Sequence, residues 1–555
     1  MNPISNFSKA SSAQKVIAFF IFVAAEGFSL YRLFFGVNFF DEPFYSGIPL
    51  RFVLGQKLFI HEQFLLQSFG LVSYPLIKLH SFFFQGTDYI VLYLRFCYWF
   101  FYLALALILF RWLKKMITAP SALIISSSVG LFLPGNIPTL SYNTLGTFFL
   151  ILGLFLLFEA VQKKRGAWYF SVGISLGVSC LSYNTLLVSI LLVLFLMVWG
   201  RETRKFCCWY ILGVFLVGVW PLILFLQRWH FVETAILVSK EYGYSSNKFL
   251  YFFTAIHKLF PKQVIAVLVL FFGSAFWSKT KKEVAFVGLV TAIPGVSYLL
   301  SQLSTSGWAV YPFYLSILSL IPFQIIKKED RIRKLFVWVF VPSWVAGIVA
   351  GVSSNVGYTN SQVGLVPAFL TGLIFVAFFV QSQSKVDFRI QSLALGLPVF
   401  LAFFNPINIW DESPKELLTS RVDEGPFKGL FTTPQKQQYL VSVQKELRSS
   451  LDSRGPLMIF PNFTAGYLIA GIPPASGVIW YQNPKGGVDG YWARAYLDEM
   501  KPTSRLVRMK NWYSTPELNQ KNYFDPQSPI NQMIEKKHVL VKDTPYFELF
   551  RPRFN

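Results

Sequence analysis

Two adjacent carboxylates stand out in the segment Phe39-Phe40-Asp41-Glu42-Pro43-Phe44-Tyr45. Pro43 suits the first turn of a helix, where its missing N–H costs nothing. Asp41 and Glu42 then lie at that helix's N-terminus, where negative charge is favoured. Two readings follow: the pair caps the helix, or mutual repulsion raises one of the two pKa values toward the range of a general base. A second polar signal is an internal echo. Leu140-Ser141-Tyr142-Asn143-Thr144-Leu145 recurs as Leu181-Ser182-Tyr183-Asn184-Thr185-Leu186. Tyr142, Asn143, Tyr183 and Asn184 could line a substrate cavity together with Tyr45. Ser, Tyr and Asn are also ordinary helix-start and interfacial residues.

The elements that must position these residues are membrane spans. The 555-residue chain is 54% hydrophobic, 18% aromatic and only 14% charged, against about 25% charged in a soluble domain. Stretches such as Leu145–Leu157 and Leu186–Trp199 carry no ionisable group. Runs of roughly 20 apolar residues cross the hydrocarbon core as helices, because lipid offers the backbone no hydrogen-bond partners. Hydropathy places about thirteen spans, at roughly 16–37, 90–112, 119–134, 141–161, 167–183, 185–200, 206–226, 263–278, 283–301, 309–326, 335–352, 364–381 and 388–404. The expected class is an α-helical polytopic membrane protein. The N-terminal residues run straight into the first span, which reads as a retained insertion signal.

The net charge of +22 has a topological rather than a nucleic-acid explanation. Lys9 and Lys15, then Arg111 to Lys115, Lys163 to Arg165, Arg201 to Lys205, Lys279 to Lys282, Lys327 to Lys334, and Lys385 with Arg389 fall between alternate spans. The intervening short loops near Gly135, Ser304 and Asn355 carry no Lys or Arg. This is the positive-inside pattern. It puts the N-terminus in the cytoplasm, and the odd span count puts the C-terminal region outside. Cys97, Cys180, Cys207 and Cys208 form no CxxC pair and read as small packing residues.

Two outer segments are long, 38–89 and 227–262. In the first, Phe52-Val53-Leu54 and Phe64–Leu79 read as amphipathic helices lying in the headgroup region. Residues 1–404 therefore read as a transmembrane domain and 405–555 as a small extracytoplasmic α/β domain. In the latter, a helix is expected from Thr433-Pro434 through Ser449, with strands at Leu457–Phe460, Gly477–Trp480 and His538–Val541.

An acidic pair in a long first outer loop, about thirteen spans and a C-terminal outer domain resemble the GT-C glycosyltransferases. The layout is similar to bacterial members related to protein mannosyltransferases and to the aminoarabinose transferase of lipid A. Gly425-Pro426-Phe427-Lys428-Gly429-Leu430-Phe431-Thr432-Thr433 also resembles a segment of bacterial members. The resemblance implies an inner-membrane enzyme. It would pass a sugar from a polyprenyl-phosphate donor to an extracytoplasmic lipid, polysaccharide or protein. It further implies that Asp41, beside Glu42, is the general base and that the anomeric centre inverts. The chemistry needs a carboxylate to take the acceptor proton and cations to meet the charge growing on the leaving phosphate. Arg51 and Lys57 follow the acidic pair, and Lys240, Lys258 and Lys262 lie in the other outer segment. These outer cations run against the positive-inside preference. Phosphate binding would explain them, as would attraction to anionic headgroups.

The family often carries a second acidic motif in the next outer loop. Here Pro134–Thr139 has no carboxylate, and Glu233 and Glu241 are the remaining candidates. The sequence requires no cofactor and leaves metal dependence open; His61-Glu62 lacks the multi-ligand spacing of a metal site. It contains no GxGxxG and no P-loop, so the donor is expected to be lipid-linked rather than a nucleotide sugar. A multispan transporter or flippase of lipid-linked glycans is the main rival. Transporters usually keep ionisable groups near the bilayer midplane, where this chain has little beyond Glu26. A non-catalytic assembly protein is the third reading, with the aromatic stretch Trp480–Trp492 stacking on a surface polymer.

Overall fold

The computed structural model describes residues 11–226, 307–382, 412–479, 505–510 and 529–553, apart from short breaks within these ranges. Helices dominate. In chain order they are α1 (Ser12–Arg32), α2 (Asp41–Val53), α3 (Phe69–Phe83), α4 (Ile90–Leu113), α5 (Ala119–Ser127), α6 (Tyr142–Lys163), α7 (Gly166–Ser182), α8 (Leu187–Trp199) and α9 (Cys207–Leu226). After α10 (Gly307–Leu318) and α11 (Leu320–Ile326) come α12 (Asp330–Ser353) and α13 (Gln362–Ser382). Among the described residues, α1, α4, α6, α12 and α13 are long and apolar enough to cross a membrane. Every described span expected from hydropathy is helical, although 119–134 shortens to α5 plus a 3-10 turn at Ser128–Leu131, and 309–326 divides into α10 and α11. The spans expected at 263–278, 283–301 and 388–404 lie outside the described residues.

The basic clusters gather at one end of the bundle. Lys115 and Lys163 lie 3.5 and 3.6 Å from Glu159, and Lys164 lies 2.7 Å from Glu202. Arg331 donates to the Lys115 carbonyl at 3.3 Å. The loops after α4, α6, α8 and α11 are thus drawn together. The opposite end carries α2 and the starts of α4, α6 and α13. Glu26 is buried in the bundle beside Arg32, whose Nη2 donates to the Gly130 carbonyl at 2.6 Å.

The C-terminal region supplies α14 (Pro434–Ser450), α15 (Thr464–Ala470) and α16 (Pro529–Lys537). Its strands are β1 (Ser420–Arg421), β2 (Phe431–Thr432), β3 (Leu457–Phe460), β4 (Arg505–Met509), β5 (His538–Asp543) and β6 (Phe547–Pro552). β1 and β2 pair antiparallel. The other four form a sheet in the order β3-β4-β6-β5, with only the β3–β4 pair parallel. Thr433 caps α14 through its hydroxyl, which accepts from the Lys436 N–H at 3.2 Å. This end therefore falls where the Thr-Pro signal placed it.

Gly477 and Ile479 of the expected strand Gly477–Trp480 are not in a strand: Ile479 N–H donates to Glu62 and its carbonyl accepts from Thr464. Val478 and Trp480 lie outside the described residues. The expected interfacial stretch Phe52-Val53-Leu54 falls at the end of α2 and is partly exposed, while the helix before it packs into the protein. Glu42 through Arg51 are all buried, because α3 and α15 pack against the helix. In contrast α3 ends with Leu79, Phe82 and Phe83 exposed, as an interfacial helix should.

Candidate functional site

The site begins with the turn between α1 and α2. Asn38 is fully buried, and its Oδ1 accepts from the N–H groups of Phe40, Asp41 and Glu42 at 2.9, 2.7 and 3.3 Å. An Asn ahead of a helix is a strong capping residue. Asn38 therefore satisfies the first backbone donors of α2, which frees the acidic pair from that task.

The two carboxylates have different surroundings. Glu42 is fully buried and forms a bidentate pair with Arg95 of α4, Nε to Oε1 and Nη2 to Oε2, both 2.6 Å. Arg95 also donates to the carbonyls of Leu33, Phe35 and Gly36 at 2.6, 3.0 and 2.9 Å. Every guanidinium N–H is thereby engaged. Glu42, grouped with Asp41 as catalytic from the sequence, has both carboxylate oxygens engaged in this buried pair. Arg95 was missed in the sequence, yet an arginine inside an apolar span is itself a signal of a buried partner.

Asp41 stays half-exposed. One turn on, Tyr45 is buried, and its hydroxyl is pushed well above its ordinary pKa by burial first, then by Tyr142 and by the Asp41 charge. The phenol stays protonated and close enough to Asp41 to feel its field. The Tyr45 and Tyr142 rings meet edge-on at 5.5 Å, and Tyr142 stacks on Tyr183 at 5.8 Å. Phe69 closes the cluster against Tyr45 and Tyr142. The two copies of the sequence echo thus converge beside Asp41. They are not equivalent: Asn143 is buried at the start of α6, whereas Asn184 is exposed in the 3-10 turn before α8.

The cations separate as well. Arg51, expected to meet phosphate, donates to Glu62 at 2.5 Å, to Gln56 at 2.5 Å, to the His61 carbonyl and to the Ser476 carbonyl at 3.1 Å. With 2% of its side chain exposed, Arg51 joins the end of α2 to Glu62 and to the C-terminal region. Lys57 is exposed at the end of the same segment. Lys240, Lys258 and Lys262, with Glu233 and Glu241, lie outside the described residues. His61 accepts from the Lys57 N–H through Nδ1 at 2.9 Å. Among the described residues no group of three or more His, Cys, Asp or Glu side chains is placed to hold a metal.

The stretch Gly425–Thr433 holds the chain just ahead of Asp41. Phe431 exchanges backbone hydrogen bonds with Phe34 and Gly36, both 2.7 Å. Phe427, Tyr439 and Phe463 surround the Phe39 ring, and Ala465 N–H donates to the Phe39 carbonyl at 3.0 Å. The buried Glu412 accepts from Val37 N–H at 2.7 Å and pairs with Lys436 at 3.3 Å. Gly425 and Gly429 both have left-handed φ, +77° and +89°, and a Cβ on Gly425 would collide with the Gln444 amide. Gly425→Ala should therefore loosen this clamp, costing about 1–2 kcal/mol from the backbone conformation alone. Limited proteolysis should cut the variant faster in the C-terminal region; an unchanged digestion rate would remove the clamp assignment.

No protein-family model matches the sequence, and no curated protein matches it. Among solved structures, the chain is similar to the crystal structure of ArnT from Cupriavidus metallidurans bound to undecaprenyl phosphate. The identity is 12% and the TM-score 0.40, over 98% of this chain and 98% of that one. Identity at that level assigns no residue a role.

Proposed function

We propose that this membrane protein is a GT-C-type glycosyltransferase that moves a sugar from a polyprenyl phosphate to an acceptor on the extracytoplasmic side, with Asp41 as the general base. The observation that carries the reading is the division of labour within the acidic pair. Asn38 caps the helix and Arg95 holds Glu42 in a buried pair, while Asp41 remains partly exposed. It stands half-exposed at the mouth of a tyrosine cluster, at the end of the bundle away from the basic loops. By the positive-inside rule that end is extracytoplasmic, and no nucleotide sugar is supplied there.

In the proposed reaction the acceptor hydroxyl gives its proton to Asp41 as its oxygen attacks the anomeric carbon. The bond to the prenyl phosphate breaks on the opposite face, so the centre inverts. Tyr45, held protonated, orients Asp41 or the incoming hydroxyl by hydrogen bonding. Lys57 is the described cation proposed to meet the leaving phosphate, joined by Lys240, Lys258 or Lys262. Membrane lipids and the extracytoplasmic acceptor complete the set of partners.

The test is a transfer assay with the purified protein in lipid nanodiscs. It should consume polyprenyl-phosphate sugars and leave nucleotide sugars untouched. Turnover of the nucleotide form alone would defeat the proposal.

A further inference from the structure

Among the buried oxygen atoms without a hydrogen-bond partner in the described residues are Asn143 Oδ1, Ser361 Oγ and Gln362 Oε1. Their residues are 8%, 2% and 5% exposed. A buried polar atom left unpaired is costly and needs an explanation. They belong to the neighbourhood of two packed helices, α6 and α13. Thr147 Oγ1 of α6 donates to the Val363 carbonyl of α13 at 3.1 Å, which fixes the two helices side by side. Asn143 lies one turn before Thr147 on the same face of α6. Gln362 and Ser361 immediately precede Val363. Stepping back from that contact along each helix leads toward its N-terminal end, to Asn143 on α6 and to Gln362 on α13 with Ser361 just before it. Asn143 adjoins Tyr142, which touches Tyr45.

We infer that Asn143, Ser361 and Gln362 form a subsite that receives hydroxyl groups of an uncharged sugar. The unpaired oxygens call for hydrogen-bond donors, and none of the three side chains carries a charge that would hold an anion. A sugar ring supplies several hydroxyl donors, whereas an ionised phosphate supplies mainly acceptors. The subsite rests on the reading of the protein as a polyprenyl-phosphate sugar transferase and assigns where the sugar ring, rather than the lipid phosphate, is held.

The experiment compares two probes on the full chain in nanodiscs: decaprenyl phosphate, and a panel of its glucosyl, mannosyl and galactosyl derivatives. The wild type should bind at least one derivative more tightly than the bare lipid phosphate. Gln362→Met should reduce that margin about tenfold, the size of one lost hydrogen bond, without changing affinity for the bare lipid. A ligand-free melting curve checks that the variant stays folded, since Gln362→Met removes the amide nitrogen along with the unpaired oxygen. Ser361→Ala, a smaller change, should show the same selective loss. A margin retained in both variants overturns the subsite, as does a wild type that binds decaprenyl phosphate but shows no preference for any sugar derivative. A wild type that binds neither probe overturns the transferase reading itself.

Discussion

Asp41→Asn should reduce sugar transfer by about 10²–10⁴-fold, the usual worth of a positioned general base, with little change in thermal stability. An amide cannot take the acceptor proton. The folded state should tolerate the change because Asn38, and not Asp41, accepts the first N–H groups of α2. Loss of the carboxylate's attraction to the helix N-terminus costs about 0.3–1 kcal/mol. Initial rates with a radiolabelled polyprenyl-phosphate sugar, together with a detergent melting curve, give both quantities. Transfer at the wild-type rate would remove Asp41 from the chemistry.

The neighbouring position should behave in the opposite way. Arg95→Leu leaves the Glu42 carboxylate buried without its cation and strips donors from the carbonyls of Leu33, Phe35 and Gly36. Breaking a buried ion pair from one side costs about 3–5 kcal/mol, so this variant should melt far below the wild type. Glu42→Gln in the Arg95→Leu background should recover only part of the loss. The charge imbalance is then gone, but the three carbonyls still lack their donor. A single Arg95→Leu variant that melts like the wild type would show that the pair does not anchor α2. The contrast between Asp41→Asn and Arg95→Leu is the practical signature: the first should silence transfer in a folded protein, the second should unfold the protein.

Much of the framework was legible because its causes are local. Spans follow from run length and the absence of charge, as in Leu145–Leu157. The α14 start follows from a Thr-Pro dipeptide, and β3 from Leu-Met-Ile-Phe between turn residues. The importance of the segment around Asp41 was also legible, since adjacent carboxylates at a span end are unusual in an apolar chain. What these signals could not do was divide roles within the segment. Arg51 and Lys57 look alike as cations following an acidic pair, yet the first is enclosed by Glu62, Gln56 and the 474–479 backbone while the second reaches solvent.

Sequence alone determined that the chain is a helical membrane protein with its basic residues segregated between alternate spans, because hydropathy and charge act through solvent and need no partner. Tertiary structure decided how differently the two carboxylates are surrounded. The partner that neutralises Glu42 stands at position 95, the cap that relieves Asp41 at position 38, and the clamp that fixes both near position 431. Hydrogen bonds and ion pairs depend on distances of about 3 Å, which only the folded chain sets between residues so far apart in sequence.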